Sequence, residues 1–403
     1  MSIKIAIVGS GVYGSYISKK LAHTDHNISI FERGSRLPIK PHCAELPQVI
    51  GDQDYGGFSE GRRFGLGGTS RVWGGQLFEL DPSELGYSDN LFYQYFCNRQ
   101  TDRRLTSGTQ IKKGIWLYPW WKRSIPSKNH SIIYGVKVVD RINLPNGKTK
   151  LVTEKHGAFV YDIVFLCAGA FENCEVLNYR KYKFSDHVSS TLGTIKAENF
   201  PKRLYWKFGR RGLTTARMHF PELDFGHYVH FVFNYDTEFV FLMRRLIKSQ
   251  TYSLREIDLK RLWKEVGNLI YGFVVRREFF PWRESNVKVI LDMEIEMGWY
   301  DAMTKSITLL DNGSVLEERL SIVKSRLAKV GLNIEFEKSD FSRYEDIYHP
   351  HNILPPIDFE SYLTYSQSCY RIDTGLLSSC GATNPTGVLF KLIDRILDQE
   401  NLS

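Results

Sequence analysis

Cysteine is scarce and unpatterned. Six occur, at positions 43, 97, 167, 174, 369 and 380, and no two form a Cys-x-x-Cys pair. That excludes a zinc site of paired CxxC ligands and offers no disulfide framework, so reduced thiols and no bound metal are expected. Long apolar runs are missing too: none approaches the ~20 residues of a membrane-spanning helix. The N-terminus enters Ile5-Ala6-Ile7-Val8 at once, without the basic head, apolar stretch and cleavage site of a secretory leader. A cytoplasmic location is expected. There is no internal repeat, low-complexity tract, zinc finger, RNP-like segment or long basic arm, so nucleic acid is not an expected partner. Neither sign of charge dominates. Lys and Arg number 53 against 45 Asp and Glu, a net +8, which suits an anionic cofactor, an anionic substrate or a membrane surface.

What is present is an ordinary globular composition, 42% apolar and 14% aromatic, over 403 residues. That length predicts two domains, one of them discontinuous. Lys4 to Val8 is a short β-branched run of the kind found in buried parallel strands. It leads into Gly9-x-Gly11-x-x-Gly14, a helical stretch to Ala22, and a second apolar run ending at Glu32. This is a βαβ unit with a dinucleotide fingerprint. Gly9 allows a tight turn, Gly11 lets backbone approach a pyrophosphate, and Gly14 lets the helix pack on the strand. The helix N-terminus then favours the phosphate charge. Glu32 stands where an acid accepts ribose hydroxyls and disfavours a 2′-phosphate, so FAD or NAD is expected rather than NADP. A second glycine cluster, Gly67-Gly68-Thr69-Ser70-Arg71-Val72-Trp73-Gly74-Gly75, marks backbone that must approach something closely. It favours an extended FAD.

Residues 81–129 resist reading and carry Trp116, Trp120 and Trp121. Further along, 132–139, 149–154 and 161–167 read as strands, with Pro145-Asn146-Gly147 as a turn. Residues 227–235 and 287–297 alternate as antiparallel strands do, 252–270 and 314–330 are helical, and Asn384-Pro385-Thr386 caps a helix to about Leu397. Arg62 and Arg63 are read as a solvated basic turn or as pyrophosphate contacts. The basic, aromatic stretch 243–283 is read as a charged helix face over packed core, or as a peripheral membrane or anionic-glycan surface.

The order of these pieces resembles the glucose–methanol–choline (GMC) oxidoreductases, which are FAD enzymes. Gly67-Gly68-Thr69-Ser70 followed by Trp73-Gly74-Gly75 resembles their flavin-contacting loop. Phe165-Leu166-Cys167-Ala168-Gly169-Ala170 resembles their second FAD strand, and Asp186-His187 the Asp-His after it. The segment Asp373 to Thr386 resembles their C-terminal signature. The resemblance covers roughly 1–80, 130–190 and 340–400. It implies an α/β fold: a Rossmann-like FAD domain of residues 1–200 plus 345–403, and an antiparallel-sheet substrate domain of 201–344.

It also implies non-covalent FAD, because Val72 stands where some relatives attach the flavin through a His. The implied cofactor contacts are Gly9, Gly11, Val12, Tyr13, Gly14, Glu32, Arg33, Gly67, Gly68, Thr69, Ser70, Trp73, Gly74, Val136, Ala168, Gly169, Asp373, Thr374, Asn384, Pro385 and Thr386.

Tyr348-His349-Pro350 matches the family's His-Pro, and Asn384 its partner. The chemistry is apt: a neutral imidazole removes a hydroxyl proton while an amide orients the same oxygen without titrating. The implied activity is oxidation of a CH–OH group of a sugar, polyol or other alcohol by hydride transfer to flavin N5, with oxygen or a quinone-like carrier as acceptor. The sequence departs from the family after Pro350, where His351-Asn352-Ile353-Leu354-Pro355-Pro356 replaces the usual Gly-Thr and Met-Gly. His351 therefore competes with His349 as base. His187 has a plain reading as half of a structural Asp-His pair in a turn or helix. Two other functions stay open: a non-redox lyase or decarboxylase that retains FAD, and a non-catalytic dinucleotide-binding remnant within a biosynthetic cluster.

Overall fold

The computed structural model describes residues 2–37, 39–42, 45–51, 54–55, 57–58, 62–71, 76–78, 103–104, 110–116, 128–204, 206–209, 212–233, 263, 267, 278–279, 286–338, 343–344, 349–353, 368–377, 379–380 and 386–402. Strand β1 (Lys4–Val8) is apolar after its first residue and buried from Ile5 on, as befits the middle of a parallel sheet covered on both faces. The glycine turn ends it, and helix α1 (Val12–Lys20) carries two lysines in its last turn, where they complement the helix dipole. Strands β2 (Asn27–Glu32) and β3 (His130–Tyr134) add in parallel on one side. An antiparallel meander follows, β4 (Val138–Asn143), β5 (Thr149–Thr153) and β6 (Ala158–Tyr161). The chain then returns as β7 (Ile163–Leu166) to the other side of β1 and runs into helix α2 (Ala170–Val176).

Two strands expected from the sequence are each divided. The run 132–139 splits at Gly135 between β3 of the parallel sheet and β4 of the meander. The run 161–167 splits between β6 and β7. Hydrophobicity marks such runs as buried and carries no sign of which sheet each half joins.

The next elements build an antiparallel sheet. Strands β8 (Lys181–Lys196), β9 (Gly212–His219), β10 (His227–Phe233) and β11 (Asn286–Asp301) stand in the order β9-β10-β11-β8. The two 16-residue strands β8 and β11 pair over almost their whole length. Asp186 and His187 therefore lie on a strand, not in a turn or helix. Strand β12 (Ser306–Leu309) pairs with the end of β11. Helix α3 (Gly313–Lys329) buries Leu316, Leu320, Val323 and Leu327, an i, i+4, i+7, i+11 stripe, in one core with Val289, Leu291, Met293 and Ile295 of β11.

The C-terminal segment goes back to the first unit. Strand β13 (Cys369–Arg371) pairs parallel with β7 and completes the order β13-β7-β1-β2-β3. Helix α4 (Thr386–Gln399) places Leu389, Ile393 and Ile396 in one core with Ile5, Ile7 and Ile17. The stretch 243–283 lies outside the described residues except for 263, 267 and 278–279, and 81–129 is described at few positions. Among the described residues no helix is long and apolar enough to cross a membrane.

Candidate functional site

The three glycines of the fingerprint do different work. A Cβ on Gly9, whose φ is +98°, would collide with the Cys167 carbonyl just after β7, and one on Gly14 would collide with the Gly9 carbonyl. Those two positions serve packing. A Cβ on Gly11 would meet nothing within 4 Å. Open space therefore lies against the N-terminus of α1, which has no side-chain cap. The first-turn amides, the positive end of the helix dipole and room for an incoming group suit a pyrophosphate. Gly68 closes one side of this cradle, where a Cβ would stand 3.5 Å from Gly11 Cα. The Gly67 amide donates to the Ser10 carbonyl at 3.1 Å.

Glu32 is buried at the end of β2, where a ribose acceptor belongs. Its carboxylate is already engaged by four protein donors. Oε2 accepts the Ser10 amide (3.1 Å) and hydroxyl (2.5 Å), and Oε1 accepts the amides of Gly34 (2.8 Å) and Gly65 (3.0 Å). A carboxylate offers about four acceptor sites, so a ribose diol must displace one of these donors. The Ser10 hydroxyl is the one that can leave by a single rotation.

The remaining expected contacts divide. Val12 and Tyr13 pack on the core between α1 and α4. Arg33 pairs with Glu45 and lies over the Phe64 ring, 4.3 Å from guanidinium carbon to centroid. Val136 is core, and its amide donates to the Glu32 carbonyl. The hydroxyls of Thr69 and Ser70 hold their own loop, accepting from the Arg63 amide (3.2 Å) and donating to the Gly67 carbonyl (2.5 Å). Ala168 donates its amide to Asn173, and Gly169 starts α2. Arg62 is not solvated; it is buried against Glu172 and over the rings of Phe58 and Phe64. Val72, Trp73, Gly74, Asn384 and Pro385 lie outside the described residues, as does the Thr386 side chain.

Asp373 sits inside a buried network. It accepts Arg371 Nε (2.7 Å) and a second guanidinium nitrogen (2.9 Å), Asn173 Nδ2 (2.6 Å) and the Gly375 amide (2.8 Å). Asn173 also donates to the Leu166 carbonyl. The carboxylate thus fixes the ends of β7 and β13 and is not free for a cofactor. Thr374 donates to the Pro350 carbonyl at 2.6 Å, which ties this signature to the histidine segment.

That segment crosses the antiparallel sheet. His351 forms a two-way backbone bridge with Ser185 of β8. The His349 amide donates to Asp186 Oδ1 at 2.9 Å, beside the His187 amide at 2.8 Å, while Tyr55 donates its hydroxyl to Oδ2 at 2.7 Å. The half-buried His349 ring stacks on His187, with centroids 4.7 Å apart and planes at 29°. Among the described residues, the Nδ1 atoms of both rings are buried without a hydrogen-bond partner. Burial, then the neighbouring His187 and His351, hold the His349 imidazole well below the ordinary histidine range, so it is neutral. Burial pushes the Asp186 carboxyl up.

Sequence reading missed the rest of this neighbourhood. On β11, Lys288, Ile290, Asp292, Glu294 and Glu296 alternate with the apolar core residues. That pattern reads as a solvent face. Lys288 and Glu296 at the ends are indeed exposed, yet Asp292 is buried and Glu294 half-buried. Asp292 Oδ2 meets Arg217 of β9 and His230 Nδ1 of β10, each at 2.9 Å, and Oδ1 accepts the Ser189 hydroxyl at 2.6 Å. Against burial, which alone would raise it, His230 and Arg217 hold Asp292 well below the carboxylate range. Glu294 lies opposite His187 in the β8–β11 register. It accepts the Ser379 hydroxyl (2.7 Å) and the Cys380 amide, and stands 3.3 Å from His351 Nε2.

Two groups here hold metal-type side chains close together, Asp186–His187–His349 and Glu294–His351–Cys380. In the first, the two rings are stacked and Asp186 Oδ1 is taken by two amides. In the second, burial with help from Glu294 and Asp186 pushes the Cys380 thiol up, and Glu294 already accepts the Ser379 hydroxyl and the Cys380 amide.

No family model matches the chain, and no curated protein matches it. Among solved structures it aligns with pyridoxine 4-oxidase from Mesorbium loti at a TM-score of 0.52 and 11% identity, covering 100% of each chain. It aligns with an arginine-to-lysine variant of formate oxidase from Aspergillus oryzae, characterised for its effect on FAD modification, at a TM-score of 0.53 and 10% identity, again covering 100% of each. At such identities the likeness shows the fold alone, a Rossmann-like parallel sheet combined with an antiparallel sheet.

Proposed function

We propose that the chain is an FAD-dependent oxidoreductase that oxidises a CH–OH group of a sugar, polyol or other alcohol, with His349 as the base. One observation carries the reading. A neutral, half-buried imidazole is seated by Asp186 on the polar face of the antiparallel sheet, in a segment tied to the C-terminal signature. The cradle at Gly11 and the uncapped α1 terminus fit a pyrophosphate, and Gly67 and Gly68 would flank it. Non-covalent FAD, when bound, supplies the two-electron acceptor; oxygen or a quinone-like carrier would take the electrons onward.

His349 Nδ1 is closed off from solvent, so Nε2 is the atom assigned to receive the hydroxyl proton. The stacked His187 ring and the Asp186–amide bonds hold the imidazole in place while that proton moves. Asn384 would orient the substrate oxygen.

A second reading has its own observation. Glu32, saturated by protein donors, favours a non-catalytic remnant that makes no ribose contact. An absorption spectrum of the purified protein separates the two. Flavin bands released by acid, and bleached anaerobically by one of a panel of sugars and alcohols, are expected. His349→Ala should keep the bands and slow bleaching by about 10²–10⁴-fold. A colourless protein that FAD cannot reconstitute would defeat the flavoenzyme reading, and colour that no alcohol bleaches would point to the non-redox lyase.

A further inference from the structure

We propose that His351 is a buried imidazolium, held between the His349 carbonyl and the Glu294 carboxylate, and that this ion pair positions His349 and keeps it uncharged. The proposal rests on the assignment of His349 as base, and it gives His351 the role of a positioning residue.

The argument begins with hydrogen bonds. His351 is 1% exposed. Its Nδ1 lies 3.0 Å from the His349 carbonyl oxygen. A carbonyl only accepts, so Nδ1 carries a proton. In a neutral ring, Nε2 would then present a bare lone pair. That atom faces Glu294 Oε1 at 3.3 Å. A lone pair opposite a carboxylate oxygen is repulsive, and a second ring proton removes the conflict.

Glu294 accepts on both of its oxygens. The Ser379 hydroxyl donates to Oε2 and the Cys380 amide to Oε1. A buried ion pair is tolerable where further hydrogen bonds satisfy both partners, as they do here. The titratable groups facing His351 are Glu294 from β11, Asp186 from β8, His349 two residues before it and Cys380 from the C-terminal segment. Facing His349 are His187, Asp292 and Arg217 besides. A fixed positive charge at His351 disfavours a second one at His349. It leaves that ring's lone pair available for a substrate proton.

The experiment is a long-range ¹H–¹⁵N correlation on the purified full-length chain with ¹⁵N-labelled histidine. His351 is assigned by the signals missing in His351→Gln, or by a paramagnetic or selective-label route if that variant does not fold. The expected result is two protonated-type nitrogens for His351 at pH 7, with one protonated and one bare nitrogen for His349. In Glu294→Gln, His351 should take the neutral signature and the His349 titration should move to higher pH. A neutral His351 in the unaltered protein at pH 7 overturns the proposal, as does a charged His351 beside an unshifted His349 in Glu294→Gln. The readout needs neither flavin nor substrate, so it fails independently of the oxidoreductase reading. That reading fails instead on a protein without colour.

Discussion

At the scale of single residues, the fingerprint glycines make opposite predictions. Gly14 has no room for a methyl group, so Gly14→Ala should overpack the α1–β1 contact and lower stability by about 1–3 kcal/mol, seen as a lower denaturation midpoint. Gly11 has room, and its φ of −63° is one that alanine adopts readily. Gly11→Ala should leave the melting temperature of the flavin-free protein unchanged and reduce the flavin retained on purification. A loss of stability in flavin-free Gly11→Ala comparable to that of Gly14→Ala would mean that the open space beside α1 is not a ligand site. The cradle was thus legible in the sequence, because a tight turn and a close approach need glycine in a short local pattern. The engagement of Glu32 was not. Its four donors come from residues 10, 34 and 65, and no spacing rule links these positions.

At the scale of elements, β11 shows why the site itself was only half legible. His349 and His351 stand in one short motif, and the Asp186–His187 pair in another. Asp292 and Glu294 sit at the polar positions of an alternating strand and look like surface residues. What covers them is a segment some sixty residues later in the chain. Alternation shows which residues share a face, not what lies over that face.

The same burial makes a prediction. Asp292 compensates Arg217 and His230 within the sheet. Asp292→Asn removes the buried carboxylate that Arg217, His230 and Ser189 share and should cost about 1–3 kcal/mol in chemical denaturation. Glu296→Gln, two residues along at the exposed end of the same face, should cost almost nothing. Equal effects from the two would mean that the face is uncovered at Asp292.

At the scale of the whole molecule, buried histidines tie stability to pH. His349 and His130 both sit below the ordinary histidine range because burial disfavours their charged forms. The unfolded chain binds protons at these rings from about pH 6.5 downward, before the folded chain does. Their contribution is therefore complete above that pH and is lost as pH falls toward the folded values. Asp186, raised by burial, acts with the opposite sign, since its share is lost as pH rises through its folded value. The melting temperature should accordingly drop between pH 6.5 and 5. His349→Gln and His130→Gln should each flatten that drop, and a slope unchanged in both variants would assign it to other groups. Fold class was the most legible property at this scale, since the strand–glycine–helix opening and the long alternating strands each select a sheet type. The seam at Gly135 was not legible, because both halves of that run are equally apolar.

The late arrival of β13 in the parallel sheet has a consequence for how the chain acquires its structure. Val164 to Leu166 pair with Cys369 to Arg371, about two hundred positions downstream. Until those residues leave the ribosome, the outer border of β7 has its backbone amides and carbonyls unmatched, an invitation to adhesion between nascent chains. Closing so large a loop also places this pairing among the slow steps of assembly. Synthesis halted between Asp301 and Cys369 should yield a sticky product that calls on chaperones, even though the N-terminal strands and the long antiparallel pair have already been made.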